Sequence, residues 1–322
     1  MYSRTELADA AAFVHRHMPP TPQYCWPLLG QRAQCEVWVK HENHTPTGAF
    51  KARGGFTFMD WLERTHPGAA GIVTATRGNH GQSQALAATR AGLRAVVVVP
   101  RNNSREKNAA MRAFGAELVA FGEDFDEARL EALRRANADN LFFVPPFHPE
   151  LVRGVATYAH ELFTHTPPLD TVYVPIGCGS GICGTIIARD ALKLETEIVG
   201  VVSEHAQTAK LSFDSGKLTE TESARTFADG VAVRVPVADA FEIYREGAAR
   251  IVAVSDDEVA GAVRSYYTDT HNLAEGGGAA PLAALMRERE RMRGRRAGVI
   301  LSGGNIDTEW FIEIMSGRTP RV

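Results

Sequence analysis

The sequence is short of several things, and each shortage narrows the reading. Its 322 residues include only four cysteines, Cys25, Cys35, Cys178 and Cys183, with no paired CxxC clusters. That is too sparse for a disulfide scaffold and points to a reducing, cytoplasmic setting. No apolar run approaches the roughly 20 residues that span a bilayer. The opening MYSRTELADA has no basic patch followed by an apolar stretch, so it does not read as a secretion signal. A net charge of −3 gives no electrostatic reason to bind nucleic acid or a membrane. Low-complexity tracts and internal repeats are also missing. What remains is an ordinary globular composition, 44% hydrophobic and 23% charged. The length suggests two domains.

Short β-rich runs alternate with helical ones. GIVTAT (71–76) reads as a buried strand and GQSQALAATRAG as the helix after it. LRAVVVVP (93–100) is nearly all apolar, as a parallel strand covered on both faces should be. SREKNAAMRAFG follows as a helix with Ser104 as N-cap, then AELVAFG, a helical DFDEARLEALRRANA and a strand LFFV at 141–144. The pattern restarts with the helical ELVRGVATYAHELF and the strand TVYVPI (171–176), which runs into GCGSGICG. EIVGVVSE, RIVAVS and AGVILSGGN supply further strands, and Ser255 with Glu258 forms a capping box. This is an α/β chain with parallel-rich sheets flanked by helices. The composition shifts near PPFHPE (145–150), which suggests a large domain of residues 1–68 and 149–322 and a small one of 69–148.

GCGSGICG leaves a strand and opens a helix, a setting in which backbone N–H groups and the helix dipole hold a phosphate. It also contains the Gly179-x-Gly181-x-x-Gly184 spacing of a dinucleotide site, with Glu204 placed as a ribose-binding acid, so a nicotinamide oxidoreductase is an alternative. The stretch TPTGAFKARGG at 45–55 sets Lys51 between an aromatic residue and small ones. A surface lysine needs no such neighbours, but one that meets a flat ring and reacts as an amine does. Pyridoxal phosphate needs an amine for a Schiff base, a phosphate nest and a partner for its ring nitrogen. Lys51, residues 177–181 and Ser302 of SGGN can supply these, and Asn79 of TRGNHGQS can donate to the ring oxygen.

Taken together and in this order, the stretches resemble the fold-type II pyridoxal phosphate enzymes of the threonine/serine dehydratase and serine racemase group. PTGAFKARGG is similar to that family's PTGSFKxRGA, GNHGQS to its SGNHGQA, GCGSG to its tetraglycine loop, FADGVAV to its IADGV stretch and LSGGNID to its SGGNVD. The resemblance implies a two-domain fold with Lys51 as the catalytic Schiff-base lysine and Phe50 packing on the ring. It assigns phosphate binding to Gly177, Cys178, Gly179, Ser180 and Gly181, with Cys178 a small loop residue rather than a nucleophile. It puts Asn79 on the ring oxygen and Ser302 on the ring nitrogen. Thr76, Arg77, Gly78, Asn79 and His80 would form the substrate loop. The implied activity is an ammonia-lyase converting a 3-hydroxy amino acid, such as L-threonine or L-serine, to a 2-oxo acid and ammonia. The implied assembly is a homodimer. A β-replacement or threonine synthase-like enzyme is the nearest rival, and a non-catalytic binding protein is disfavoured by the retained Lys51. The chain ends soon after SGGNID, so a catabolic enzyme without a regulatory domain is expected.

Three departures stand out. Arg77 replaces the serine that serves racemases as a second acid/base, and an arginine is a poor base, so racemisation is not expected. Ala49 replaces a serine two places before the lysine. In SEHAQTAK, Glu204 fits the first ligand of the racemase cation site, but Lys210 stands where an aspartate would. The expectation is that Lys210 pairs with Glu204 and no metal is bound. The neighbours His41 and His44, and His15 and His17, lack a third ligand and read as solvated surface. His80 is assigned an orienting role.

Overall fold

The computed structural model describes residues 2–322. Among the described residues ten strands follow one another: β1 Gln23–Cys25, β2 Glu36–His41, β3 Gly71–Ala75, β4 Arg94–Val99, β5 Glu117–Ala120, β6 Phe142–Phe143, β7 Thr171–Pro175, β8 Glu197–Ser203, β9 Arg250–Val254 and β10 Arg296–Leu301. They form two sheets. One has the order β1-β2-β10-β7-β8-β9, the other β5-β4-β3-β6. Every pairing is parallel except β1 with β2. All strands of the smaller sheet fall between residues 71 and 143.

The valine run of β4 explains why this segment is a central strand. Val96 to Val99 are all fully buried, so both faces are covered by helices. In the larger sheet the two faces feed different cores. Val199 and Val201 of β8 join the cluster that includes Leu282 and Leu285 of helix Gly276–Arg287. Ile198 and Val202 join the opposite one, with Ile182 and Ile186 of helix Ser180–Ala191. The period-two alternation of a strand is what divides them. Among the described residues, no helix is long and apolar enough to cross a membrane.

Helix starts follow the caps read from the sequence. Ser104 Oγ accepts from Lys107 N, and the Ser255–Glu258 capping box is complete. The strand LFFV is shorter than expected, only Phe142–Phe143, because it pairs with β3 over just two residues. His41 is not on the surface: it is fully buried and its Nε2 accepts from Trp26 Nε1 at 2.9 Å. His15 and His44 are exposed, as expected, but His17 is half-buried and stacks on Phe56 with ring centroids 4.8 Å apart. Helix Gly276–Arg287, from the unpromising EGGGAAPLAALMR, has three glycines and Pro281 within it. Its glycines permit close approach, since a Cβ on Gly278 would lie 2.4 Å from Gly303 O. Packing has overridden propensity there.

Candidate active site

Parallel pairing brings the C-terminal ends of β2, β10 and β7 to one edge of the larger sheet, where open α/β sheets take their ligands. The loops that leave those ends are residues 42–50, 302–307 and 176–179. The first two lie against each other. Phe50 N donates to Ser302 O at 2.9 Å, Gly304 N donates to Gly48 O at 2.9 Å, and Ala49 bridges to Gly303. Sequence stretches 250 residues apart are thereby joined, and Lys51 and Ser302 belong to one wall.

Lys51 is the first residue of helix Lys51–Thr65, with Phe50 as N-cap. Its Nζ lies 4.7 Å from the centroid of the Phe50 ring. Burial pushes the amine below the ordinary lysine range, and Cys178 and Glu275 pull against that shift. The neutral amine that the sequence reading requires is therefore favoured by its surroundings. Two residues on, Arg53 is fully buried and ties the helix start to the scaffold through Glu42 and Glu161.

The glycine-rich loop carries the second function. Gly179 has φ +95°, a backbone state that favours glycine, and it caps helix Ser180–Ala191. The first helical N–H to find a partner in the helix is that of Cys183, which donates to Gly179 O at 3.0 Å. The N–H groups of Ser180, Gly181 and Ile182 are left for an anion. Tyr158 Oη fixes the loop from behind by donating to Gly181 O at 2.8 Å. Burial raises the Cys178 thiol above its usual value, which agrees with a passive place in the loop.

The third stretch opens helix Asn79–Arg90 after β3. Thr76 Oγ1 accepts from Gly78 N at 3.0 Å and shapes the turn. Asn79 is held at both ends of its amide. Its Oδ1 accepts from Asn305 Nδ2 at 2.8 Å, and its Nδ2 donates to Glu275 Oε1 at 2.6 Å. One N–H of Asn79 remains free. His80 is buried, and burial above all pushes it down to about 3, so its imidazole is neutral. Its Nε2 is buried without a hydrogen-bond partner among the described residues. Arg77, by contrast, is exposed.

Glu275 and Asn305 are the residues that sequence reasoning missed. Asn305 lies within the SGGNID stretch but received no role. Glu275 precedes three glycines and carries no motif of its own. It is buried, and burial and then the charge of Asp229 raise its carboxyl above the usual range. Its Oε2 has no protein partner among the described residues. Glu204 and Lys210 do not pair as expected. Glu204 accepts from Arg287 Nη1 at 2.9 Å, and Lys210 reaches Asp214 at 2.7 Å, one turn along its own helix. The i,i+4 neighbour lies within reach of Lys210 without crossing between elements. Among the described residues no group of three or more His, Cys, Asp or Glu is placed to hold a metal ion.

These residues fit a phosphate-bearing aldehyde with a flat ring. The amine of Lys51 and the free N–H groups at Ser180 to Ile182 are joined by the spare N–H of Asn79 and by the partnerless His80 Nε2, while Glu275, whose Oε2 is also partnerless, is tied to Asn79 through its other oxygen. Comparison with known proteins agrees. The chain is 33% identical to the biosynthetic L-threonine dehydratase of Haemophilus influenzae over 89% of its own length and 56% of that protein's. It thus spans little more than half of that relative. It is 31% identical to the L-threo-3-hydroxyaspartate ammonia-lyase of a Pseudomonas species, covering 92% of this chain and 93% of the other. Among solved structures, the processed form of threonine deaminase isoform 2 from Solanum lycopersicum superposes with a TM-score of 0.89, at 28% identity, covering 98% of this chain and 89% of that one. A family model described as pyridoxal-phosphate dependent enzyme matches residues 14–303, and the chain belongs to that family.

Proposed function

We propose that the protein is an ammonia-lyase that converts a 3-hydroxy amino acid to a 2-oxo acid and ammonia. The observation that carries this reading is the setting of Lys51: an amine held against the Phe50 ring, depressed by burial, on the same wall as a hydroxyl, Ser302, rather than a carboxylate.

Residues 177–181 would hold the cofactor phosphate, Asn79 its ring oxygen and Ser302 its ring nitrogen. When bound, pyridoxal phosphate supplies an aldehyde carbon that joins Lys51 or the substrate amine, and a ring that accepts electrons. Ser302 would not protonate the ring nitrogen as an acid would, which would favour prompt loss of a β-substituent. Lys51, free once the substrate amine takes its place, would remove the α-proton with its neutral Nζ. The Cβ–O bond would then break as the oxygen takes that proton from the Lys51 ammonium and leaves as water, and the unsaturated amine released would hydrolyse to the 2-oxo acid and ammonia. The free N–H groups opening helix Asn79–Arg90, with Thr76 shaping the turn, would bind the substrate carboxylate. Neutral His80 would orient that group without competing for the proton. Arg77 would lie at the substrate loop as a permanent cation, not as a second base.

Beyond the site, residues 69–148 would form a small domain and the remainder a large one. The four cysteines, all free among the described residues, favour a cytoplasmic setting. A homodimer is supported by exposed apolar side chains on neighbouring elements, Leu28, Tyr267, Leu273 and Ile312. Gel filtration tests the dimer, and a monomer would remove it.

The activity is tested by supplying the purified, cofactor-loaded protein with L-threonine, L-serine and L-threo-3-hydroxyaspartate and measuring ammonia and 2-oxo acid together. Equal release of both from at least one is expected. Release from none would overturn the proposal.

A further inference from the structure

The FADGV and SGGNID stretches each carry an acid, Asp229 and Asp307, that the site so far leaves without a part. Both point to the same place on the smaller-sheet side of the molecule, the first turn of helix Arg105–Ala113. Lys107 Nζ forms an ion pair with Asp229 Oδ2. Ser104 Oγ donates to Asp307 Oδ1 at 2.6 Å. Thr308 N, at the start of helix Thr308–Met315, donates to Glu106 Oε1 at 3.1 Å. The two helices therefore meet at their N-termini, where each carboxylate is well placed against the helix dipole of the other.

Lys107 differs from the residues of the other two contacts because it is buried, with only 6% of its side chain exposed. Its stem covers Gly78, the residue that opens the substrate-loop helix. A Cβ on Gly78 would stand 2.9 Å from Lys107 Cδ. The charges that face its ammonium are Asp229, Glu275 and Asp307. Burial disfavours the ammonium, but the pair with Asp229 and the nearby Glu275 and Asp307 more than offset this and keep Lys107 charged.

We propose that Lys107 is a positioning residue: its stem presses on Gly78 while its ammonium, tied to Asp229, moors the substrate loop and the smaller-sheet unit to the larger one. Lys107 touches no reacting atom in this scheme. It acts through residues 76–80, which it keeps in the conformation that binds the substrate carboxylate. The inference rests on the proposed ammonia-lyase reading for its kinetic arm only.

Two variants test it in the cofactor-loaded protein. Lys107→Met keeps the stem and removes the charge, and Asp229→Asn removes the partner. Amide exchange at Gly78 and Gln82, whose N–H groups bond Thr76 Oγ1 and Gly78 O, should quicken by roughly ten-fold or more in each variant. The double variant should be no faster than the worse single, because both remove one link. The KM of the accepted 3-hydroxy amino acid should rise by roughly ten-fold with kcat changed much less, the mark of lost loop ordering before chemistry. Unchanged exchange in both single variants, or additive effects in the double, would overturn the proposal. So would a lowered melting temperature with KM unaltered, the sign of a merely structural pair. If Lys107→Met does not fold, Ser104→Ala removes one moor without touching a charge. Exchange at Gly78 N and Gln82 N should then quicken, and no change there refutes the mooring. Exchange needs no turnover, so a wild-type protein inactive on all three hydroxy amino acids would sink the lyase reading while leaving the exchange result to decide this one.

Discussion

Arg53 offers the sharpest test of how the active lysine is anchored. Its guanidinium donates to Glu42 Oε2 and Oε1 at 2.7 and 3.0 Å and to Glu161 Oε1 and Oε2 at 2.6 and 2.8 Å. Thr157 and Thr21 accept two more bonds. Lys40 Nζ also reaches Glu161 at 2.5 Å, so two cations balance two carboxylates in a region where all four side chains are buried. Arg53→Met removes one cation and leaves a carboxylate without charge compensation. Breaking a buried pair in this way costs about 3–5 kcal/mol, a large part of the roughly 5–15 kcal/mol that keeps a domain folded. Adding Glu42→Gln to Arg53→Met removes the stranded charge, so the double variant should be more stable than the single one. Arg53→Lys keeps the charge but cannot fork to both acids and should fall between. Urea unfolding of the cofactor-free protein gives the ordering directly, free of stabilisation by the bound group. A loss below about 1 kcal/mol for Arg53→Met, or a double variant weaker than the single, would refute the reasoning. The network also sets an acid limit. Burial pushes the Glu161 carboxyl up, but Arg53 and Lys40 more than offset this and hold it well below its ordinary 4.5. Its contribution is then complete above pH 4.5 and is lost as the pH falls towards the lower folded value.

Other expectations follow from single side chains. Burial lowers His41 from 6.5 to about 4. Its stabilising effect is therefore present above pH 6.5 and lost as the pH falls to about 4, on the order of 3 kcal/mol. Replacing it with Phe should flatten the stability curve over that window; an unchanged curve would mean the ring is protonated in the fold. Arg77→Ser should allow slow formation of D-serine, read by a chiral assay, because a hydroxyl able to exchange a proton replaces a fixed cation. Equal D-serine from both proteins would show that Arg77 does not block racemisation. EDTA should leave activity intact, since the Arg287 guanidinium occupies Glu204, and Lys210→Ala should change stability by less than about 0.5 kcal/mol. Restoration of a chelated enzyme by magnesium or calcium would contradict this.

Much of the fold was legible because central strands such as Arg94–Val99 are apolar runs, and the caps at Ser104 and Ser255 use their own side chains. The motif residues were legible because each sits at a strand-to-helix joint, where backbone N–H groups are free. The hidden parts share a cause. Glu275, Lys107 and Arg53 gain their meaning from partners 196, 122 and 108 positions away. No local pattern carries such information. Helix Gly276–Arg287 was hidden because glycine and proline mark loops in isolated sequence, whereas here they let the helix approach the SGGN turn. His41 shows the reverse: a histidine with no metal partner reads as solvated in sequence alone, yet its ring fills a buried position and accepts from Trp26.

The central claim is that Lys51 is the amine that carries the cofactor and takes the α-proton. Its most direct test is the visible spectrum of the purified wild-type protein beside that of Lys51→Ala, each incubated with pyridoxal phosphate and then desalted. The wild type should stay yellow, lose that colour on mild borohydride only with permanent labelling of Lys51, and release 2-oxo acid from a 3-hydroxy amino acid. Lys51→Ala should fold, stay colourless after desalting and release none. Colour and turnover retained by the alanine variant would contradict the account.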